Sequence, residues 1–588
     1  LMQLAGIASL SPGFSSASRI DASFGNPIYL AVYMLFNIGI AAALWSRAWQ
    51  EYPRSRVSVA LLYGGVMALD TLVLLLTGTR GAMVGLIGGI VLFLLITALH
   101  PDTLARSRRL VIGVLIGLFL VAGGLYLARD QAWVKSVPFL ERLVTVSLED
   151  NTTKARFMNW GMAWEGVKER PILGWGQENY AIVFDKYYNP QMYGQEQWFD
   201  RVHNIIFDWL VAAGFVGLIS YLSLFGFALW YLWKGTTFNQ YERSIFTGLL
   251  AAYFAANLTV FDNISSYLLF TIVLAYIAWR ASQNSAPLPL PQLSQKLLPV
   301  AVIGAVALAW GSAWYVNARP LAVNRALIQA IQPQSDGIAK NLEYFNKSLS
   351  YGTVGTQEAR EQLIQAAAQV IRIEDIPLPI KQQFLNTAAE EMLQQAEESP
   401  LDARFPLFLG ALLNTAGNLE DAAFWLERAH LLSPGKQTIL FEVAANALQR
   451  GDANAALAAY RQAFDLAPEF LDARLYYAAA VIRAGNDALA RELLAPITES
   501  GAAADPRIAA AYVLRKRYDK VIEIWEARVK ATPTETQPYF TLAAAYYGAG
   551  NSARAISVLE AVSEAIPSAK AQADALIGQI RSGTAKIQ

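Results

Sequence analysis

Residues 200–222, "DRVHNIIFDWLVAAGFVGLISYL", set one of the three histidines of this chain, His203, directly before a long apolar segment. An apolar run of about 20 residues is what a helix needs to cross a bilayer. Comparable runs occur near 28–46, 57–77, 82–99, 110–128, 205–233 (one span with its flanks), 245–262, 264–280 and 297–316. The sequence therefore predicts an all-α fold in which residues 1–316 form a polytopic transmembrane bundle of about eight spans.

The composition agrees with a membrane protein that carries a soluble part. Hydrophobic residues make up 54% of the 588 residues and charged residues only 16%, which is too apolar for a soluble chain of this length. The net charge is zero, so no bulk attraction to nucleic acid is expected. The absence of cysteine excludes disulfides and thiolate-bound metals. Because the chain opens at Leu1 within an apolar pattern, we expect upstream residues to be missing.

Lysine and arginine fall in alternate loops between the predicted spans. They are Arg47, Arg54, Arg56, Arg106, Arg108, Arg109, Lys234, Arg243, Arg280 and Lys296. Basic loops of short length face the cytoplasm. The segments predicted to face outward are therefore residues 1–27, a turn near 77–81, a large loop at 129–203, a turn at 262–263, and everything after about 317.

The C-terminal part has a different pattern from the membrane part. Glycines at 417, 451 and 485 are spaced 34 residues apart, and prolines at 400, 434 and 468 keep the same spacing. This period is typical of tetratricopeptide repeats, which stack helix pairs into an α-solenoid. We predict repeats over 401–588 and a helical connector or degenerate repeat over 317–400. The array could provide a docking surface for a protein or polymer partner, or it could act only as a spacer.

Two arginines lie at tight turns on the predicted outer side. Arg19 precedes the Phe-Gly-Asn-Pro turn that leads into the first span, and Arg80 lies in a short glycine-containing turn between two spans. A guanidinium binds phosphate oxygens in bidentate geometry and stays charged at any working pH. Two of them on one face suggest a pyrophosphate site. An arginine at a span end can instead extend to lipid headgroups.

The outer loop at 129–203 is long and rich in aromatic residues. Its segment with Arg156, Trp160 and Trp175 has apolar residues at helical spacing, followed by a Pro-Ile-Leu-Gly-Trp-Gly turn, and Asn204 follows His203 at the end of the loop. Loops of this length are usually lids or binding segments. The tryptophans could stack on sugar rings, or they could anchor the loop at the membrane interface.

Four segments in this order resemble the O-antigen ligase family of membrane glycosyltransferases. They are "FGNPIYLA", "GTRGA", "RFMNWGMAWEGVKERPILGWGQENY" and "HNIIFDWLVAAGFVGL", within residues 15–280. The first departs from the family's Phe-Gly-Asn-Pro-Asn pattern at Ile28. The resemblance implies a fold of about twelve transmembrane helices, with the active site at the outward face of the membrane that they cross.

The resemblance also implies roles for single residues. His203 matches the family's catalytic histidine, which takes the proton of the acceptor hydroxyl, while Arg80 and Arg19 match the arginines that hold the lipid pyrophosphate. Asn204, Arg156, Trp160 and Trp175 become possible acceptor or loop contacts. The family often has two adjacent histidines, but here Val202 precedes His203. A histidine base and arginine clamps need no metal and no cofactor, and we expect none.

Other polar residues have simpler interpretations. Asp70 lies inside a predicted span and could be functional, although a protonated helix contact explains it as well. Asp262 and Asn263 occupy an outer turn, where they could touch substrate or only end a helix. His100 is predicted on the cytoplasmic side and His430 in the repeats, so neither is expected near His203.

The sequence predicts an enzyme that transfers a glycan from an undecaprenyl-pyrophosphate carrier to an acceptor hydroxyl outside the inner membrane of a bacterium. The repeat domain would lie on the same, periplasmic side, where it could bind a protein partner. A repeat-unit polymerase or a protein O-oligosaccharyltransferase of the same fold is an alternative. A transporter or a non-catalytic membrane scaffold is a more distant one. Acceptor, glycan composition, repeat partner and oligomeric state remain open from the sequence alone.

Overall fold

The computed structural model describes residues 19–101, 103–145, 150–195, 197–234, 237–283, 294 and 297–585. Residues 1–18 of the predicted outer segment, Leu1 among them, and Lys296 lie outside these ranges. The chain divides into two compact units, Leu1–Tyr187 with Gln195–Leu293, and Tyr188–Gly194 with Ser294–Gln588. All regular elements of the described residues are helices, which confirms the all-α prediction.

The first unit, the membrane unit, contains eleven described α-helices. They are α1 Pro27–Glu51, α2 Arg56–Leu76, α3 Arg80–Leu99, α4 Ala105–Leu127, α5 Ala132–Lys135, α6 Pro138–Val144, α7 Asn151–Glu169, α8 Tyr180–Lys186, α9 Ile205–Lys234, α10 Gln240–Asn257 and α11 Ile264–Ser282. The long helices α1–α4, α9 and α11 coincide with predicted spans, and helices α5–α8 lie within the predicted outer loop.

Seven helices of the described residues are long and apolar enough to cross a membrane, rather than the eight predicted. They lie at Pro27–Glu51, Pro53–Leu76, Arg80–Leu99, Ala105–Leu127, Ile205–Lys234, Ile264–Ser282 and Leu298–Ile331. The predicted span at 245–262 is mostly covered by α10, which is 18 residues long and starts with a polar turn. Glu242 of that turn is 1% exposed and lies 3.8 Å from Arg47 of α1 and 3.6 Å from Arg280 of α11. The ends of these three helices therefore meet, as the alternation of loop charges predicts.

Small residues allow α10 to pack tightly against α3. A Cβ atom at Gly89 would lie 2.6 Å from the carbonyl oxygen of Gly248, and one at Gly85 would lie 2.5 Å from that of Ala252. Membrane helices associate through such close backbone contacts because lipid supplies no hydrophobic force between them. The pair forms part of a core that also includes α1, with Phe36 and Tyr253 in ring contact at 4.8 Å.

The outer loop interlocks with a break in α9 at Gly214. Gly214 has φ 62° and ψ −162°, a backbone conformation that is essentially restricted to glycine. Four backbone hydrogen bonds link the break to the loop: Phe215 N to Pro171 O (2.8 Å), Val216 N to Ile172 O (3.3 Å), Trp175 N to Val211 O (2.7 Å) and Gly176 N to Ala212 O (3.0 Å). The irregular backbone of the loop and that of the helix break thus satisfy each other's hydrogen-bonding groups.

The second unit, the repeat unit, begins with a long helix formed by α12 Leu298–Ala313, a π-helical turn Trp314–Ala318 and α13 Arg319–Ile331. The remaining helices are α14 Ile338–Leu349, α15 Thr356–Arg372, α16 Leu378–Glu398, α17 Arg404–Thr415, α18 Leu419–Leu432, α19 Gln437–Gln449, α20 Ala453–Leu466, α21 Leu471–Arg483, α22 Asp487–Thr498, α23 Pro506–Leu514, α24 Tyr518–Ala531, α25 Thr536–Gly548, α26 Ser552–Ala565 and α27 Lys570–Ser582. Successive helices pack in pairs such as α17 with α18 and α19 with α20, and the region predicted as a connector forms the pairs α13–α14 and α15–α16.

The periodic glycines form the turns inside the helix pairs. Gly417, Gly451, Gly485 and Gly550 have φ between 81° and 90°, a left-handed region that other residues adopt only at a cost. Alanines such as Ala456 and Ala490 are fully buried beneath the turns. Glycine therefore ends the first helix of these four pairs, and small residues let the pairs stack.

Seven residues of the outer loop belong to the repeat unit by their packing. The segment Tyr188–Gly194, here called the strap, stacks Tyr193 on Phe470 with ring centroids 4.5 Å apart. The fully buried Lys436 places its Nζ 4.9 Å from the Tyr188 ring centroid, and Gln437 donates to Pro190 O at 2.9 Å. The strap is thus an integral part of the repeat unit's packing.

Candidate active site

Arg19 and the turn before α3 come together although 58 residues separate them. The Nε of Arg19 donates to Thr77 O at 2.7 Å, and its Nη2 donates to Thr79 Oγ1 at 3.2 Å. Burial lowers the pKa of the Arg19 guanidinium, and the positive charge of Arg142 lowers it further. The predicted donor-binding arginine Arg19 therefore lies at the turn that leads into Arg80.

Arg80 is the first residue of α3, and its Nη1 lies 3.1 Å from Oδ2 of Asp150. Asp150 caps α7, because its Oδ1 accepts from the backbone N–H of Thr153 at 2.6 Å. That hydrogen bond, followed by the contact with Arg80, holds the pKa of Asp150 below its usual value. Sequence reasoning missed Asp150, although its position three residues before Thr153 is typical of an N-cap.

Helix α7 carries Arg156 and Trp160. Burial lowers the pKa of Arg156, and Asp150 and Arg80 act on its charge in opposite directions. Trp160 lies against Phe157 and Phe207, with ring centroids 5.2 and 6.2 Å away. Its indole Nε1 is buried and has no acceptor among the described residues, so a ligand oxygen could accept this hydrogen bond.

His203 is held in an unusual conformation between two aromatic rings. Its φ is 60°, and its ring meets Phe199 and Phe261 edge to face at centroid distances of 5.5 and 5.1 Å. Nδ1 lies 3.0 Å from the carbonyl oxygen of Arg201. Because a carbonyl can only accept, Nδ1 carries the hydrogen and Nε2 keeps its lone pair.

The charge state of His203 follows from its surroundings. Burial lowers its pKa from the usual 6.5, the carbonyl of Arg201 opposes this shift, and the positive charge of Arg156 lowers the pKa further. The imidazole is therefore neutral at neutral pH. A neutral imidazole with Nε2 unprotonated can accept a proton from a hydroxyl group.

Asn204 fixes the histidine to the next helices. Its Oδ1 accepts from Ile206 N at 3.0 Å and Phe207 N at 3.3 Å, which caps α9, and its Nδ2 donates to Leu258 O at 3.0 Å. Of the two roles considered for Asn204, acceptor contact or loop contact, these bonds favour the loop contact. The adjacent His203 gains a fixed backbone position from it.

A partly buried ion pair next to His203 was not predicted from the sequence. Arg201 donates through Nε to Oδ1 of Asp208 at 3.0 Å, and its Nη2 contacts Oδ2. The guanidinium also lies over Phe261, with Cζ 4.6 Å from the ring centroid. Bidentate pairs of this kind fix orientation, so Arg201 presents its carbonyl to His203 in one position. The signal in the sequence was the opposite charges of Arg201 and Asp208, seven residues apart across the start of α9.

Trp175 is placed inside the outer loop rather than on its surface. It is 8% exposed, its Nε1 donates to Gly166 O at 2.9 Å, and Arg170 covers its ring at 4.0 Å. This burial favours packing over contact with a sugar.

The remaining candidate residues either lie away from His203 and the arginines or have a structural role near them. Asp262 is 2% exposed, accepts from Asn257 Nδ2 at 2.6 Å and contacts the Tyr253 hydroxyl. Asn263 caps α11 through a reciprocal bond pair with Ser266, as the helix-end interpretation requires. Asp70 lies in α2, where only Leu74 is buried among the described residues. His100 follows α3 at the end opposite Arg80, and His430 lies in α18 of the repeat unit.

The structure thus assembles Arg19, Arg80 and Arg156 with His203, from four sequence regions of the membrane unit. Arg156 connects them electrostatically, because its charge acts on both Arg80 and His203. Within the part of the chain that is described, no group of three His, Cys, Asp or Glu side chains could hold a metal ion.

Comparison with protein families agrees with the resemblance drawn from the four sequence segments. The O-Antigen ligase family matches residues 65–222, and the Tetratricopeptide repeat family matches residues 447–514. The match over 65–222 includes Arg80, Arg156 and His203. The prediction of an O-antigen ligase domain followed by tetratricopeptide repeats is therefore confirmed. This combination is expected for a multi-pass membrane enzyme of the O-antigen ligase or polymerase type.

Among solved structures, the chain is similar to two repeat proteins. The crystal structure of YrrB, described as a TPR protein with an unusual peptide-binding site, is 16% identical with a TM-score of 0.23, and the match covers 30% of this chain and 94% of that one. The crystal structure of MamA is 16% identical with a TM-score of 0.21, covering 36% of this chain and 96% of that one. No curated protein matches the chain.

Proposed function

We propose that this protein transfers a glycan from an undecaprenyl-pyrophosphate carrier to an acceptor hydroxyl at the outer face of the inner membrane. The observation that carries the proposal is His203, whose Nδ1 bonds to a carbonyl while burial keeps the ring neutral. Its Nε2 is therefore a base, and Arg156 acts electrostatically both on it and on the arginine-rich turn.

Arg19 and Arg80 are the donor-binding residues in this proposal. They lie at one turn, and the first turn of α3 follows directly without a side-chain cap. An uncapped helix N-terminus and guanidinium groups both favour a pyrophosphate. Binding the leaving group in this way stabilises the charge that develops as it departs.

The chemical step is a direct displacement. The acceptor oxygen forms a bond to the anomeric carbon of the donor sugar while the bond from that carbon to the pyrophosphate oxygen breaks. Nε2 of His203 takes the hydroxyl proton, and the electron pair of the broken bond leaves with the pyrophosphate, held by arginine. A single displacement inverts the anomeric configuration.

The repeat unit belongs on the same side of the membrane in this proposal, where it binds a protein or polymer partner. Tetratricopeptide repeats are generally protein-interaction modules, which supports a partner of this kind. The same displacement serves a lipid, a protein or a growing glycan as acceptor. A ligase, a protein O-oligosaccharyltransferase and a repeat-unit polymerase are therefore distinguished by the acceptor that is consumed.

The test is glycan transfer by the full-length protein in reconstituted membranes, with a lipid-pyrophosphate donor and a panel of acceptors. His203→Asn is the informative variant, because asparagine tolerates the positive φ of this position but cannot serve as a base. We expect its rate to fall by about a hundredfold or more while donor binding persists. His430→Asn in the repeat unit is the matched control.

Transfer at the wild-type rate by His203→Asn would refute the role of the histidine. A wild-type protein that transfers glycan to none of the acceptors would refute the proposed function and return the transporter and scaffold alternatives.

A further inference from the structure

A third arginine lies at the turn that holds Arg19. Arg142, in the outer loop, donates from Nη1 to Gly78 O at 3.1 Å. A Cβ atom built on Gly78 would lie 3.3 Å from Cδ of Arg142 and 3.6 Å from Cγ of Arg19. Both side chains therefore lie against the same glycine, two residues before Arg80.

The packing of α6 determines this position of Arg142. Phe139 and Leu143, one helical turn apart in α6, pack against the hydrophobic core of the transmembrane helices. Arg142 is adjacent to Leu143 and three residues after Phe139, so anchoring these two side chains fixes its direction. A short amphipathic helix thus brings a guanidinium to a turn 64 residues earlier in the chain.

The arrangement brings two positive charges close together. Two positive charges at one turn repel each other, and the lowered pKa of Arg19, caused by burial and by Arg142, reflects that cost. Hydrogen bonds to the carbonyl oxygens of Thr77 and Gly78 hold the two side chains at the turn. A doubly charged anion that binds there would relieve the repulsion between them.

We infer that Arg142 binds the pyrophosphate of the lipid-linked donor together with Arg19, as a residue of the donor site in its own right. The inference rests on the proposed function for the identity of the donor. A pyrophosphate has two phosphate groups, and the turn holds Arg19 and Arg142 against Gly78, with Arg80 two residues further along the chain. Arg142 uses one of its N–H donors on Gly78 O, and a guanidinium can bind phosphate oxygens through its other N–H groups.

The variant Arg142→Gln separates this role from a structural one. Glutamine retains an N–H donor for Gly78 O but has no charge, so a residue that only braces the turn should tolerate it. Arg142→Lys keeps the charge and loses the planar fork. The control is Arg129→Gln, which removes an exposed arginine of the same loop that contacts Tyr126 and Asp130.

Two quantities should be measured on the full-length protein: the donor KM for glycan transfer, and the affinity for inorganic pyrophosphate by calorimetry in detergent. We expect Arg142→Gln to weaken both by about tenfold, with kcat changed much less, and Arg142→Lys to fall between it and wild type. Arg129→Gln should match wild type. Should Arg142→Gln fail to fold, a weakened pyrophosphate affinity of Arg142→Lys supports the inference, and an unchanged one overturns it.

Unchanged donor KM and pyrophosphate affinity in Arg142→Gln would overturn the inference and leave the proposed function intact. If the wild-type protein shows no transfer activity but binds pyrophosphate in a way that depends on Arg142, the anion site stands and the proposed function is overturned. The two failures are therefore distinguishable.

Discussion

Replacing Gly214 by alanine tests the junction between the outer loop and the broken helix α9. The backbone at Gly214 has φ 62° and ψ −162°, where a side chain is strained. An added Cβ would also lie 2.2 Å from the carbonyl oxygen of Ile172 and 2.6 Å from that of Pro171. Because both atoms belong to the backbone, the loop itself would have to move.

The magnitude follows from two contributions. Holding alanine in this region of φ and ψ costs about 1–3 kcal/mol. Moving the carbonyls of Pro171 and Ile172 away breaks their bonds from Phe215 N and Val216 N, at about 1 kcal/mol each. We therefore expect the junction to lose about 4 kcal/mol of local stability.

Hydrogen exchange measures this loss directly. The amides of Trp175, Gly176, Phe215 and Val216 all donate across the junction, and 4 kcal/mol corresponds to exchange faster by about a thousandfold. We also expect glycan transfer to fall, since the same loop leads to His203.

The matched control is Gly226→Ala in the same helix. Gly226 has no heavy atom within 4 Å of a built Cβ and no positive φ, so this variant should behave as wild type. If Gly214→Ala and Gly226→Ala gave the same exchange rates at the four junction amides, the interlock would not hold the loop and the reasoning would be wrong.

Two further predictions concern the active site and the repeat unit. Burial and then Arg156 lower the pKa of His203, so transfer should lose activity only below the usual histidine pKa of 6.5, where the base becomes protonated. Arg156→Gln should move this loss of activity to higher pH. A pH profile of kcat/KM that does not move in this variant would contradict the assignment. In the repeat unit, Gly435→Ala would bring a Cβ to 2.7 Å from the carbonyl oxygen of Tyr188 and should cost about 1–3 kcal/mol, seen as a lower Tm by circular dichroism. Gly578→Ala, with open space around its Cβ, is the control and should not lower the Tm; equal melting of the two variants would show that the strap contributes nothing to stability.

The elements that follow from local pattern could be predicted from the sequence. Apolar runs locate the membrane helices because lipid selects for length and hydropathy alone, and the 34-residue spacing of glycines locates the repeat turns because each turn needs a left-handed residue. The exception is α10, where Glu242 is buried between two arginines. The apolar pattern predicted a span at 245–262 and left out the polar turn with which α10 begins, because the partners of its carboxylate are seen only in the packed structure.

The candidate site was predicted in part, and its omissions have a common physical cause. Arg19, Arg80 and His203 stand next to turns or span ends, so their exposure to one side follows from topology. Arg142 lies in a seven-residue helix whose direction depends on two apolar contacts with distant spans. Aromatic content left a sugar contact and a membrane anchor open for Trp175, whereas its Nε1 donates to the carbonyl of Gly166. Partners in tertiary structure leave no trace in local composition.

The strap limits how evolution or an engineer can exchange modules of this chain. A repeat array that docked only through its own helices could be swapped between genes as a cassette. Here the buried Met192 and the stacked Tyr193 are encoded far upstream, within the sequence of the membrane unit. A repeat array taken from another protein, without a complementary site for Tyr193, would leave these apolar side chains uncovered. A repeat fragment expressed from Ser294 onward would lack them. The strap and the repeat array therefore have to be inherited, and redesigned, as a matched pair.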